Sequence, residues 1–183
     1  LELTTIQIDT SGGVWWSTTT KGMQKFSPSG KWISEAKIDS FIFSGATLYH
    51  NEFFIDSRNR FFVYARNKPE DHQIWRYFPE SGKKEVLQGG MKEFTFTAAE
   101  DSWGNVWLTN ESGIIQLQPD GSIVDFTEPT RRALDYNNIL SIFEDRTNSV
   151  WIGTDGGLLK LPVRKQFFDR YFSKKNTGWG NTM

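Results

Sequence analysis

The stretch ILSIFEDRTNSVWIGTDGGLLKLP at residues 139–162 decides the fold. It contains three short apolar runs, separated by the turn-forming segments EDRTNS at 144–149 and DGG at 155–157. Clusters of Asp, Asn, Ser and Gly between short runs of Ile, Val, Leu and aromatic residues are typical of tight hairpins. The stretch therefore predicts three antiparallel β-strands, and residues 167–172 can supply a fourth.

The same pattern occurs four times at nearly equal intervals. In each copy an aspartate is followed six residues later by an aromatic residue, and successive aspartates lie 47, 45 and 44 residues apart. The pairs are Asp9 with Trp15, Asp56 with Phe62, Asp101 with Trp107, and Asp145 with Trp151. Four strands in about 45 residues is the size of one propeller blade.

The period predicts an all-β fold built from β-propeller blades. Each blade is expected to be a four-stranded antiparallel sheet, since helical periodicity is absent from the copies. The predicted blades are residues 1–43, 44–91, 92–136 and 137–175, and residues 176–183 resemble the lead-in to a further blade.

The repeated positions have structural explanations. The aspartate side chain can close the first hairpin by accepting hydrogen bonds from turn amides. A residue that tolerates positive φ follows three positions later in every copy: Gly12, Asn59, Gly104 and Asn148. The aromatic residue begins the second strand and is expected to fill the space between neighbouring blades. We therefore expect these positions to build the scaffold rather than to contact a ligand.

The second copy departs from the pattern. From Phe62 to Tyr77 it takes 15 residues, whereas the first copy takes 11 from Trp15 to Phe26. The difference predicts an insertion at residues 66–73, between the second and third strands. We expect an exposed polar loop there, with His72 solvated.

Composition excludes several functions. The formal net charge is −1, with 21 Lys and Arg against 22 Asp and Glu, so no nucleic-acid partner is predicted. No run of 18 apolar residues occurs, and no membrane contact is expected from this segment. Cysteine is absent, and His50 and His72 lack metal-ligand spacing, so we predict neither a metal nor a cofactor.

The copies resemble the two-component regulator propeller repeat, which occurs in extracellular sensor regions of hybrid two-component systems. The last copy carries the family pattern best, and its matching residues are Asn138, Ser141, Ile142, Glu144, Asp145, Val150, Trp151, Ile152, Gly153, Thr154, Gly157 and Leu158. The third copy keeps Glu100, Asp101, Gly104, Val106, Trp107, Gly113 and Ile114. In the second copy Phe62 replaces the tryptophan and the Gly-Leu step is absent.

The resemblance implies a propeller of about seven blades on the periplasmic side of the inner membrane. Such proteins in gut Bacteroidetes commonly sense oligosaccharides and signal to a downstream histidine kinase. This chain contains no kinase module, so we expect it to be part of the sensing head and not itself an enzyme.

Four blades are fewer than the resemblance implies. An open array would expose apolar blade faces at both ends, and such faces tend to bind a partner. The chain is therefore expected to be a fragment of a larger ring, to associate with a second chain, or to form a small four-bladed ring. The expected partners are accordingly the remaining blades or a second copy.

Ligands of propellers usually bind at the loops between second and third strands and at the loops joining blades. Two polar segments at these places, 66–73 and 131–138, depart from the repeat. We predict ligand contacts at Arg66, Lys68, His72, Arg132, Tyr136 and Asn138. Rings stack on sugar faces and arginine binds carboxylates, so the pattern favours an oligosaccharide, acidic rather than neutral.

Three alternatives stay open. The polar segments can be ordinary solvated loops, or the chain can be a protein-interaction or dimerisation module. Some propellers that resemble this one are lyases, and His72 with Glu70 and Asp71 is the only local acid–histidine cluster of that kind. The adjacent pairs at 100–101 and 144–145 recur with the repeat and are interpreted as structural. We predict no catalytic residue.

Overall fold

Four antiparallel β-sheets make up the computed structural model, which describes residues 3–18, 22–35, 52–68, 71–91, 96–110, 113–127, 138–161 and 169–173. Sheet 1 contains β1 (Leu3–Ile8), β2 (Val14–Thr18), β3 (Gly22–Phe26) and β4 (Trp32–Glu35). Sheet 2 contains β5 (Phe53–Ile55), β6 (Phe61–Lys68), β7 (Asp71–Phe78) and β8 (Lys83–Met91). Sheet 3 contains β9 (Ala98–Glu100), β10 (Val106–Asn110), β11 (Gly113–Leu117) and β12 (Ile123–Asp125). Sheet 4 contains β13 (Ile139–Glu144), β14 (Val150–Thr154), β15 (Gly157–Leu161) and β16 (Asp169–Ser173).

The strands of every sheet pair in chain order, so each sheet is a simple antiparallel meander. The predicted all-β class and the four-stranded sheets are confirmed. Each sheet lies inside one of the predicted blade ranges, and residues 176–183 lie outside the described residues. Among the described residues, no helix has the length and apolar character needed to cross a membrane.

The chain divides into two compact units, residues 1–93 and 94–183. The first unit holds sheets 1 and 2, and the second holds sheets 3 and 4. Each unit has an apolar core between its own two sheets. Because strand side chains alternate between faces, each sheet can bury one row against its neighbour.

The repeated aromatic residue contributes to both cores. In the first unit, the buried Trp15 of sheet 1 meets Phe61 of sheet 2 edge-on, with 4.7 Å between ring centroids. In the second unit, Trp107 of sheet 3 is 2% exposed and lies in one cluster with Val150 and Ile152 of sheet 4. The expectation that this residue fills the space between neighbouring sheets is confirmed within each unit.

Each repeated aspartate organises the turn before the second strand in the same way. Its Oδ1 accepts hydrogen bonds from the backbone N–H groups two and four residues later, at 2.7–3.1 Å. In three copies its Oδ2 also accepts the indole N–H of the tryptophan, at 2.8, 2.9 and 2.6 Å. The residue three positions on has φ of 79°, 56°, 78° and 60° in Gly12, Asn59, Gly104 and Asn148. The predicted turn chemistry is confirmed in all four sheets.

Sheet 2 replaces the missing indole with an arginine. The Phe62 side chain has no N–H group, and Arg60 donates its Nε–H to Asp56 Oδ2 instead. The Arg60 guanidinium carbon lies 5.7 Å from the centroid of the Phe62 ring. Asp56 and Arg60 are both buried, so the charge of the carboxylate is compensated by a charged donor rather than a neutral one.

Hydrogen bonds also connect the turns of neighbouring sheets inside each unit. The backbone N–H of Thr10, which follows Asp9, donates to Asn59 Oδ1 of sheet 2 at 3.0 Å. In the second unit, the backbone N–H of Ser102 donates to Glu144 Oε2 of sheet 4 at 2.8 Å. We call this contact the turn bridge: the N–H after the repeated aspartate, bonded to a side-chain oxygen of the following sheet. Sequence alone did not predict it.

Two of the repeated carboxylates have a lowered pKa. Burial by itself would raise the pKa of Asp9, but hydrogen bonds hold it well below its usual range, from Lys25, Ser11, Trp15 and Gly13. The Lys25 Nζ lies 2.7 Å from Asp9 Oδ2. Hydrogen bonds from Thr147 and Trp151 similarly hold the pKa of Asp145 below its usual range. A carboxylate with a lowered folded-state pKa stabilises the fold only while it is ionised.

We expect the stability of the protein to fall in acid because of these aspartates. Their contribution is complete above the unfolded-state pKa of about 3.9 and is lost as pH falls towards the lower folded-state value. Urea unfolding between about pH 5 and about pH 2 should show this slope, and it should be shallower in Asp9→Asn. Lys25→Met removes one hydrogen-bond donor to Asp9 but keeps the carboxyl group, and it should also make the dependence of stability on pH shallower. Equal slopes in the wild type and Asp9→Asn would contradict the assignment.

A double-mutant cycle tests the substitution of indole by arginine in sheet 2. Arg60→Ala should lower the unfolding free energy by about 1.5–3 kcal/mol, because the buried Asp56 loses a charged donor. Phe62→Trp should be more favourable in the Arg60→Ala background than in the wild type, since the new indole can donate to Asp56 as in the other sheets. Lys31→Ala, which removes an exposed cation, serves as the control and should change little. Additive effects at positions 60 and 62 would show that the two residues do not share this role.

Candidate functional site

The predicted ligand contacts that the structure describes lie towards one end of the sheets. In each antiparallel meander, the turn between the second and third strands lies at the end opposite the aspartate turn. Chain entry into the first strand lies at that same end. Glu52 O, just before β5, accepts the backbone N–H of Tyr64 at 2.9 Å, and Thr97 O accepts that of Thr109 at 3.1 Å. We call this the distal end of a sheet.

Sheet 2 extends further than the others at its distal end. The pairing of β6 with β7 continues to Arg66 opposite His72 and Lys68 opposite Asp71, with an irregularity between these pairs. The second strand of sheet 1 ends three residues after its repeated aromatic, whereas β6 continues to the sixth residue after Phe62. At roughly 3.3 Å per residue, the hairpin projects about 10 Å beyond the position where the other second strands end.

The expectation of an exposed loop at residues 66–73 is therefore wrong. The inserted residues 66–68 and 71–73 lie in strands, because extra residues on both sides of a hairpin can continue its ladder and satisfy their own backbone groups. Residues 69 and 70 lie outside the described residues. Arg66 and Lys68 occupy the distal part of β6, two residues apart in sequence.

His72 is not the solvated side chain that the sequence suggested. It lies in β7 with 3% of its surface exposed, and its Nδ1 is hydrogen-bonded to the Tyr64 hydroxyl. The two rings stack at 5.4 Å between centroids with 21° between their planes. Tyr64 is itself 4% exposed and lies opposite the fully buried Ile74. The pair forms a buried polar contact at the base of the projecting hairpin.

Asn138 lies at the distal end of sheet 4, where the chain enters β13. Its backbone N–H donates to Asp155 Oδ1 at 3.0 Å and its side-chain amide donates to Oδ2 at 3.3 Å. The backbone N–H of Asp155 donates in return to Asn138 O at 3.2 Å. These bonds fix the start of β13 to the turn between β14 and β15. Arg132 and Tyr136, the other two predicted contacts in this segment, lie outside the described residues.

No catalytic or metal-binding arrangement is found in the part of the chain that the structure describes. Those residues contain no group of three or more His, Cys, Asp and Glu side chains that could hold a metal ion. The acid–histidine cluster considered for a lyase is not established, because Glu70 lies outside the described residues and His72 is buried against Tyr64. A histidine enclosed in this way is poorly placed to exchange a proton with a bound substrate.

Tyr64 is the residue at this site that the sequence reasoning missed. The side chains of the run FFVYARNK at 61–68 begin by alternating between faces, so Phe62 and Tyr64 lie on one side of β6. That alternation was the available signal that the strand continues past the repeat length. Gly153, which the sequence analysis named as part of the family pattern, has a packing role: an added Cβ would lie 2.5 Å from Ser141 Oγ, so glycine leaves room for a side chain of the neighbouring strand.

The last copy of the repeat matches a known family. A family model described as the two component regulator propeller matches residues 133–156, which include β13, β14 and the aspartate turn between them. The resemblance stated for this copy is therefore confirmed. No curated protein matches the chain significantly in sequence.

The fold is similar to those of solved extracellular domains. Two structures of the extracellular domain of a two component or one component system from B. thetaiotaomicron superpose with TM-scores of 0.65 and 0.67, at 19% and 21% identity. They cover 92% and 91% of this chain, which spans 23% of the length of either. YCF48 from Cyanidioschyzon merolae has a TM-score of 0.59 at 13% identity. The match covers 92% of this chain and 55% of the YCF48 chain. At these identities the likeness establishes the propeller-type fold.

The buried pair in sheet 2 leads to a prediction about stability. Tyr64→Phe should lower the unfolding free energy by about 1–3 kcal/mol, because it leaves the buried His72 Nδ1 without its partner. Tyr77→Phe is the matched control, since no hydrogen bond of the Tyr77 hydroxyl is present among the described residues. Urea denaturation of both variants measures the difference. Equal, small effects would mean that the hydroxyl of Tyr64 does not support the hairpin.

Proposed function

We propose that this chain is part of the ligand-sensing propeller of a hybrid two-component regulator. In this proposal the propeller lies on the periplasmic side of the inner membrane, recognises an oligosaccharide, and signals to a downstream kinase that this chain does not contain. Support comes from the match of residues 133–156 to the regulator propeller and from the fold shared with extracellular domains of such systems. The chain carries no catalytic role in this proposal.

The observation that carries the ligand hypothesis is the projecting hairpin of sheet 2. The four sheets otherwise follow one plan, and this hairpin is the largest described departure from it. Arg66 and Lys68 lie in the distal part of β6, and Tyr64 lies nearer its base. Cations carried on a paired strand are held more rigidly than cations on a loop, which lowers the entropy lost when a ligand binds. They would bind carboxylate or sulfate groups of an acidic saccharide.

A second polar segment supports the same chemistry at sheet 4. Asn138 is fixed to the turn of Asp155, and the segment before it contains Arg132 and Tyr136. An arginine, a phenol ring and amides can bind charged groups, sugar faces and hydroxyls respectively. His72 is reassigned in this proposal from ligand contact to support of the hairpin, since it is 3% exposed.

Ligand binding can signal only if it favours one state of the receptor over another. The bound saccharide must therefore contact a part of the propeller whose position differs between the two states. A hairpin that projects from the sheet can change position between the two states, because its contacts lie outside the repeated scaffold.

A protein-interaction module is the second candidate function. Sheet 1 exposes large apolar residues, with Ile6 and Ile8 of β1 51% and 66% exposed and Trp32 of β4 52% exposed. Apolar groups of this kind on one sheet are typical of a surface that binds further protein. Such a module would bind its partner and show no response to saccharides.

A saccharide screen tests the ligand proposal. Acidic probes such as oligogalacturonides and sulfated oligosaccharides should raise the Tm of the protein, whereas neutral malto-oligosaccharides should not. For the probe with the largest shift, calorimetry should show at least about a tenfold loss of affinity when Arg66, Lys68, Arg132 and Tyr136 are all replaced by alanine.

The control for that experiment removes charge elsewhere on sheet 2. The pair Lys83→Ala and Lys84→Ala lies at the start of β8, away from the distal end, and removes two cations. The affinity of this control variant for the saccharide probe should equal that of the wild type. An unchanged affinity in the fourfold variant, or an equal loss in the control pair, would reject the proposed contacts.

A further inference from the structure

The arginine that replaces the indole in sheet 2 brings more donors than the aspartate turn uses. An indole has a single N–H group, whereas a guanidinium has several. Arg60 donates its Nε–H to Asp56 Oδ2, and Asp56 Oδ1 accepts the backbone N–H groups of Arg58 and Arg60. Among the described residues, Arg60 Nη2 is the one buried side-chain nitrogen or oxygen that has no hydrogen-bond partner.

This nitrogen is enclosed together with its ion pair. The side chain of Arg60 is 9% exposed and that of Asp56 is 0% exposed. A buried donor that lacks an acceptor has lost its bonds to water and gained nothing in return, and the loss is larger for a charged group. We therefore expect Arg60 Nη2 to donate to a group other than the described side chains.

Aromatic rings and cations share the face of sheet 2 on which the Arg60 guanidinium lies. Its carbon is 5.7 Å from the centroid of the Phe62 ring. Arg76 is opposite Phe62 in the pairing of β6 with β7, so it lies on the same face. Arg76 and Lys83 both lie over the ring of Phe78, with their cationic centres 5.3 and 5.6 Å from its centroid. The face therefore combines positive charge with rings that provide no strong acceptor.

The charges of these groups favour an anion as the acceptor. Asp56 pairs with Arg60, whereas Glu85 is shared between Arg76 and the exposed Lys83, so three cations accompany two carboxylates. An internal water molecule needs acceptors as well as donors around it. An anion needs only donors and a positive potential, and the guanidinium provides both.

We propose that a small monatomic anion, with chloride as the natural example, binds beside Phe62 and accepts a hydrogen bond from Arg60 Nη2. A sulfate or a carboxylate suits this place less well, because each of its several oxygens would need its own donor. The site lies at the aspartate-turn end of sheet 2, away from the distal end, and the proposal does not depend on saccharide binding.

The dependence of thermal stability on chloride tests the proposal. With gluconate replacing chloride at constant ionic strength, the Tm of the wild type should rise by about 3 °C between about 5 and about 200 mM chloride, and it should level off as the site fills. Bromide should replace chloride in this experiment, because it is also a monatomic anion. Sulfate at the same ionic strength should not produce the saturating rise.

The other three sheets suggest the matched control, a double variant that combines Arg60→Ala with Phe62→Trp. In those sheets the single indole N–H is bonded to the aspartate and no donor is left over. The double variant restores this arrangement for Asp56 and removes the unpartnered nitrogen, so its Tm should not depend on chloride. Lys31→Ala, which removes an exposed cation of sheet 1, should keep the full dependence.

Two results of the Tm measurements overturn the proposal. A wild type whose Tm does not respond to chloride would show that a neutral group accepts from Arg60 Nη2. An equal response in the wild type and the double variant would show that the anion acts elsewhere. Crystals of the wild type grown with bromide give a test that needs no variant, since anomalous scattering should reveal a bromide next to Arg60 Nη2. The absence of a peak at this nitrogen would also reject the site.

Discussion

The four sheets depend on one interaction, the binding of turn amides by a carboxylate that is buried in three sheets and partly exposed in the fourth. Each repeated aspartate accepts two backbone N–H groups through Oδ1 and a side-chain donor through Oδ2. A carboxylate in that position is stable only if its oxygens are satisfied. The interaction therefore constrains three other residues in each copy: one with positive φ three residues on, a side-chain donor to Oδ2, and an aromatic residue near the start of the second strand.

This dependence explains why the register could be predicted from the sequence. The aspartate and the aromatic residue are six apart because one turn separates the carboxylate from its indole donor, and a change of spacing would break that bond. The strand pairing of all four sheets follows from this spacing. Phe62 was also placed in the correct register. Its connection with Arg60 could not be predicted, because an arginine two residues before an aromatic residue is not distinctive.

The distal end was harder to predict, for a physical reason. The sequence locates the extra residues of the second copy but does not say whether they pair or form a loop. Pairing depends on whether both sides of the insertion can alternate between a buried and an exposed row. Tyr64 and His72 fill the buried row and bond to each other. The polar composition of this segment suggested a loop. Two buried polar side chains that hydrogen-bond to each other are, however, as compatible with a strand as two apolar ones.

The two ends of a sheet differ in how far they follow the repeat. The aspartate turns occupy one end and are constrained by hydrogen bonds within and between sheets, so substitutions there act first on folding. The turn bridge adds a contact between sheets at that end. Its acceptor is an amide oxygen in Asn59 and a carboxylate oxygen in Glu144, so two types of side chain can fill this role. The distal ends of sheets 2 and 4 are held by different contacts, the Tyr64–His72 pair in one and the Asn138–Asp155 bonds in the other, so this end varies between sheets while the aspartate turn does not.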